Sequence, residues 1–113
     1  MDCLKKDMMI KLCNELYYKG DMEQYVFETV SINSYDDGEI VVKGYLYLLE
    51  CEEDYCSIDM YHYYDEAFGD ITRIEYFNAE GFIARRFYYI HHSEELYTAR
   101  DFINMQHILD TID

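Results

Sequence analysis

The chain of 113 residues is 50% hydrophobic and 18% aromatic, which excludes a disordered polymer even though 24 acids against 9 bases leave a formal net charge of −15. One domain over residues 1–113 suits this length, and no apolar run approaches the roughly 20 residues of a membrane span. So negative a field disfavours nucleic acid and anionic membrane as direct partners and favours a basic protein surface.

The charge is segregated. Residues 21–72 hold 14 acids against the single base Lys43, so −13 of the −15 lies in the middle of the chain. Met1–Leu16 alternates charged with apolar residues where a signal peptide is continuously apolar, so a cytoplasmic location is expected.

Asp2–Lys19 has helical period, with Leu4, Met8, Met9, Leu12 and Leu16 in one apolar stripe and Gly20 where a helix terminus wants it. Of the four cysteines, Cys3 and Cys13 fall on different sides of that helix, and all four, with Cys51 and Cys56, are expected as thiols. Glu23–Ser34 reads as a strand, closed by the turn Asp36-Asp37-Gly38. Its partner Glu39–Leu49 alternates Val42, Leu46 and Leu48 with Lys43, Tyr45 and Tyr47, and Gly44 marks a bulge. After the acidic run Glu50-Cys51-Glu52-Glu53-Asp54, the strand Tyr55–Tyr64 sets Cys56, Ile58 and Met60 against Tyr55, Asp59, Tyr61 and Tyr63. Asp65 to Asp70 forms a loop.

Asp70–His92 reads as a hairpin turning at Ala79-Glu80-Gly81, with glycine at the left-handed position. That turn sets Asn78 opposite Phe82, and counting outward puts Glu75 opposite Arg85 and Ile74 opposite Arg86. The core face is then Ile74, Tyr76, Phe82, Ala84, Tyr88 and Ile90, while Arg73, Glu75, Phe77, Ile83, Arg85 and Phe87 point the other way. Ser93 caps a final helix reaching about Ile112, with Ala99, Phe102, Ile103, Gln106 and Leu109 as its buried stripe. The predicted fold is α+β: an antiparallel five-stranded meander with the N- and C-terminal helices packed on one face.

Little here has the form of catalytic or metal chemistry. Cys51-x4-Cys56 with His91-His92 has wider spacing than zinc knuckles, and Cys56 is expected to point inward. The acids sit in similar exposed surroundings, whereas acid–base catalysis needs pKa values driven apart. No cofactor, no metal and no enzymatic activity are expected; a small metal-dependent hydrolase is the alternative from that class.

The expected partner-binding surface is the sheet side bearing Tyr45, Tyr47, Tyr55, Asp59, Tyr61 and Tyr63, rimmed by Glu50, Glu52, Glu53, Asp54, Asp65, Glu66 and Asp70. Tyrosine supplies rigid contact area, and acids steer a basic partner. Alternate strand residues lie about 6.6 Å apart, close to the spacing of successive phosphates, so such a surface can imitate a nucleic-acid strand.

In size, net charge and lack of catalytic motifs the chain resembles the small acidic anti-CRISPR and anti-restriction proteins of phages and other mobile elements. The resemblance covers composition along the whole chain and no motif, so it transfers no functional residue. It implies an inhibitor, possible as a DNA mimic, that occupies the nucleic-acid channel of a basic CRISPR effector nuclease, or the arginines that read its short DNA signal, in the host cytoplasm. Such a protein acts as a monomer or homodimer. An immunity protein neutralising a basic nuclease toxin has the same requirements.

Overall fold

Turn residues that accept a left-handed backbone fix this sheet. In the computed structural model, which describes residues 5–17, 25–48 and 55–111, Gly38, Gly69 and Gly81 occupy such turns with φ of 89°, 77° and 86°. At the expected turn, Asn78 N donates to Phe82 O at 2.9 Å, and Asn78 Oδ1 accepts from the amides of Glu80 and Phe82. A fourth turn places Glu94 at φ 56°, where a side chain is strained; Lys5 pairs with its carboxylate at 2.9 Å and Lys11 donates to its carbonyl.

The elements run α1 (Lys6–Tyr17), β1 (Tyr25–Ser34), β2 (Ile40–Leu48), β3 (Cys56–Asp65), β4 (Gly69–Phe77), β5 (Ile83–Ile90), β6 (Glu95–Thr98) and α2 (Ala99–Thr111). All neighbouring strands pair antiparallel in the order β1-β2-β3-β4-β5-β6. The α+β class and the meander are as expected, but there are six strands rather than five. The added one occupies the start of the expected helix: Leu96 and Tyr97 pack on different clusters, and this alternation holds Glu95–Thr98 as a strand. The helix cap moves with it, from Ser93 to Thr98, whose Oγ1 accepts from Asp101 N at 3.2 Å.

The register of the β4–β5 hairpin also differs. Phe77 faces Ile83 as counted from the turn, but a bulge at Ala84 then puts Tyr76 opposite Arg85, Glu75 opposite Arg86 and Ile74 opposite Phe87. One extra residue exchanges the faces of β5. Phe87 and Tyr89 therefore enter the main core, whereas Phe82 is 68% exposed and Ala84 lies outside the core as well.

The main core joins Met8, Met9, Leu12 and Cys13 of α1 to Val42, Leu46, Cys56, Ile58, Met60, Ile74, Phe87 and Tyr89. A second, smaller cluster uses the alternate residues Ile71 and Ile90, with Phe102 of α2 and the half-buried Tyr63, Phe68, Tyr88, Tyr97 and Met105. Since directly paired Ile71 and Ile90 alternate with Ile74 and Phe87, Phe102 meets the opposite side of the sheet from the α1 residues. The expectation that both helices share a face is thus not met. The expected α2 stripe is met in part: Phe102 is buried and Ala99 and Gln106 are half-buried, whereas Ile103 and Leu109 are exposed and Met105 joins the contact in their place.

Burial lifts the Cys13 thiol pKa to about 12, reinforced by Cys56 beside it, which makes Cys13 an inert packing residue.

Gly44 shows why a bulge was expected near it. The bulge lies on the partner strand, at Val30, between the pairs Thr29–Gly44 and Ser31–Lys43. A Cβ on Gly44 would lie 2.3 Å from the Glu28 carbonyl oxygen and 2.7 Å from the Phe27 ring. Gly44→Ala is expected to cost about 1–3 kcal/mol of unfolding free energy by overpacking, read from the urea midpoint. A midpoint equal to the parent's would show that the β1 backbone at Glu28 and the Phe27 ring both give way without cost.

Candidate partner-binding surface

Strand pairing puts Tyr45, Ser57 and Phe77 in one row, Lys43, Asp59, Glu75 and Arg86 in the next, and Val41, Tyr61, Arg73 and Tyr88 in a third. Tyr45, Tyr47, Tyr55, Asp59, Tyr61 and Tyr63 therefore do share one side of the sheet, as their alternation required. They do not form one acidic surface. Glu50, Glu52, Glu53 and Asp54 lie outside the described residues, as do Cys3 and Cys51, and the remaining positions separate into four groups, of which Tyr45, Tyr47 and Tyr55 line a depression at one end of the sheet.

At the centre the acids are already matched. Asp59 is 3.6 Å from Lys43 Nζ and accepts from Tyr61 OH at 3.4 Å. Glu75, 5% exposed, accepts from Arg86 Nη2 at 2.7 Å and Nε at 2.9 Å, and Arg73 Nε is 3.9 Å away. Arg73 also lies over the Tyr61 ring at 4.4 Å. Hydrogen bonding to Glu75 raises the Arg86 pKa further, so the guanidinium stays charged. Three bases against two acids leave this patch slightly positive.

Tyr63 belongs to the second cluster beneath Phe102, so it is unavailable as an open contact residue. The expectation that the tyrosine side lies uncovered fails at this end. Burial raises the Tyr63 pKa, in keeping with that position.

Asp65, Glu66 and Asp70 sit in the β3–β4 turn, at the sheet end where the β1–β2 turn also lies, because Ile40 pairs with His62 and Asp65 with Gly69. That neighbouring turn carries Asp36, Asp37 and Glu39. Among the described residues these six carboxylates have no lysine or arginine partner within ion-pair distance, although Asp37 and Asp65 each brace their own turn through backbone amides. Asp70 comes no nearer to a base than 3.8 Å from His62 Nε2. Tyr35 and Tyr64, 54% and 72% exposed, stand at the entry of the two turns. Sequence reasoning missed Tyr35, Asp36, Asp37, Glu39 and Tyr64 as site residues. The signal was the repeated order tyrosine-acid-acid, in Tyr35-Asp36-Asp37, followed directly by Gly38, and in Tyr64-Asp65-Glu66, followed by Gly69 after two further residues.

Behind the acidic end, Thr72 Oγ1 sits 3.1 Å from His62 Nδ1 and 2.7 Å from His91 Nε2. The two rings meet edge to face at 5.1 Å, and Tyr89 packs edge to face on His91 at 4.9 Å. Burial lowers both imidazole pKa values from 6.5; Asp70 opposes the shift at each, while His62 and Lys5 add to it at His91. An unfolded histidine near 6.5 thus binds protons before the folded one does, so stability is full above that pH and falls as pH drops through 6.5 toward the folded values. Urea unfolding at pH 7.5 and 5.5 should show this loss, and His62→Gln should flatten it. Equal slopes in parent and variant would assign the loss to other groups.

Among the described residues no cluster of three metal-ligating side chains occurs, and no helix is long and apolar enough to cross a membrane. Comparison with family models, with curated proteins and with solved structures finds no match to this chain.

Proposed function

We propose that this chain is an inhibitory binding protein that presents its acidic hairpin end to a basic nucleic-acid-binding surface of a defence nuclease, of the CRISPR effector or restriction type, and blocks access of DNA or RNA. The observation that carries the reading is the set of six carboxylates at Asp36, Asp37, Glu39, Asp65, Glu66 and Asp70, none matched by a lysine or arginine among the described residues, flanked by exposed Tyr35 and Tyr64. The central sheet acids Asp59 and Glu75 are matched by Lys43, Arg73 and Arg86, so among the described residues the unmatched acids are most concentrated at this end.

Strand spacing near 4.8 Å separates adjacent hairpins by about 10 Å, so the two turns span a patch the size of a short run of phosphates. No enzymatic step is assigned to the chain. The test is a shift assay with labelled DNA and two nucleases in parallel, a guide-loaded CRISPR effector and a restriction endonuclease. DNA should be displaced from one of them, and less effectively as salt rises, because charge attraction drives the encounter. DNA retained by both at saturating protein would remove nuclease inhibition as the function.

A further inference from the structure

At the far end of the same sheet side, a depression of about 430 Å³ is lined, among the described residues, by Glu28, Tyr45, Tyr47 and Tyr55. Its construction follows from register: Glu28 pairs directly with Tyr45, and Tyr47 is two residues along β2. Tyr45 and Tyr55 meet at 5.1 Å with their planes 83° apart, which gives the depression two aromatic walls at right angles. Glu28 is exposed and forms no ion pair among the described residues. We infer that these four residues bind the guanidinium of an arginine side chain presented by a partner polypeptide.

The chemistry selects that occupant. A cation is attracted by the ring faces and by the carboxylate together. A planar guanidinium lying flat on one ring directs its in-plane N–H groups at the face of a ring perpendicular to it, and its fork matches a carboxylate. An ammonium has neither the plane nor the fork. The protein contains its own instance of this recognition two rows away, where Arg73 lies over Tyr61 at 4.4 Å with Glu75 beside it. At the depression the tyrosines and the acid recur with no lysine or arginine among the described lining residues, so a partner supplies the cation. Because the depression opens broadly to solvent, it suits a side chain carried on a protein surface.

This site does not rest on the acidic hairpin end, which lies about 20 Å away along β2. The two can therefore fail separately. The experiment titrates the isotope-labelled full chain with N-acetyl-arginine methylamide, and with its citrulline and lysine counterparts, following tyrosine ring signals by NMR. Saturable shifts at Tyr45 and Tyr55 are expected for the arginine probe, with binding weaker by about fivefold or more for the others. Glu28→Gln and Tyr55→Leu should each weaken it similarly, while a substitution at the exposed His107, His107→Ala, leaves it unchanged. Both variants carry exposed substitutions, and unaltered circular dichroism confirms that they fold. Absence of saturation, citrulline or lysine binding as tightly as arginine, or indifference to both variants would overturn the inference.

Discussion

Replacing Asp36 and Glu66 together by lysine is expected to weaken binding to the target nuclease by about 100-fold at low salt, with folding stability changed by less than about 0.5 kcal/mol. Both side chains are exposed, on neighbouring turns, and neither accepts a hydrogen bond that shapes its turn. Reversal changes the local charge by four units at the sheet end where no base compensates. About 1.4 kcal/mol at each position, the low end for close charge pairs across an interface, gives the stated factor. The deficit should shrink as ionic strength shortens the screening length from about 10 Å at 0.1 M. Asp65→Lys is the less informative variant, because Asp65 Oδ1 also accepts from the amides of Ala67 at 2.8 Å and Phe68 at 3.1 Å. Parental affinity in the Asp36, Glu66 double variant would show that the acidic end is only a solvated surface.

The parts of the fold legible in the sequence are those decided locally. The α1 stripe, the three glycine turns and the alternation of β2 and β3 each depend on residues within one element, and each stands as expected for the residues described. What was not legible depends on single-residue offsets. The bulge at Ala84 carries no glycine or proline to announce it, yet it reverses the facing of every later residue of β5. Glu95–Thr98 is too short to show a period, and Ser93 followed by two acids imitates a helix start.

The candidate site shows the same division. Shared facing of the tyrosines followed from alternation, but the neutralisation of Asp59 and Glu75 depended on which bases stood opposite. That is a register question, and the register was off by one at Glu75. Net charge therefore located the acidic half of the chain without distinguishing matched acids from unmatched ones.

Glu75 is where that distinction has its largest energetic consequence. Glu75→Gln should lower the unfolding free energy by about 2 kcal/mol, because it removes the charge that compensates Arg86 and Arg73 on one side of the sheet. Breaking a fully buried pair costs about 3–5 kcal/mol, but the Arg86 and Arg73 side chains remain 40% and 35% exposed, so solvent screens part of the loss. What remains is large because the carboxylate itself is nearly inaccessible and Arg73 Nε is a buried donor with no hydrogen-bond partner. Lys43 and Asp59 sit in the same row, so the uncompensated arginines would also perturb the Asp59 pair. Adding Arg86→Met to Glu75→Met should recover most of the stability, since the double replacement leaves no unmatched charge between those two positions and keeps apolar volume. Urea midpoints of the two single variants and the double variant close the cycle. If the double variant were no more stable than Glu75→Met alone, the coupling between Glu75 and Arg86 would be negligible, and the centre of the sheet would be held by packing rather than by its charge row.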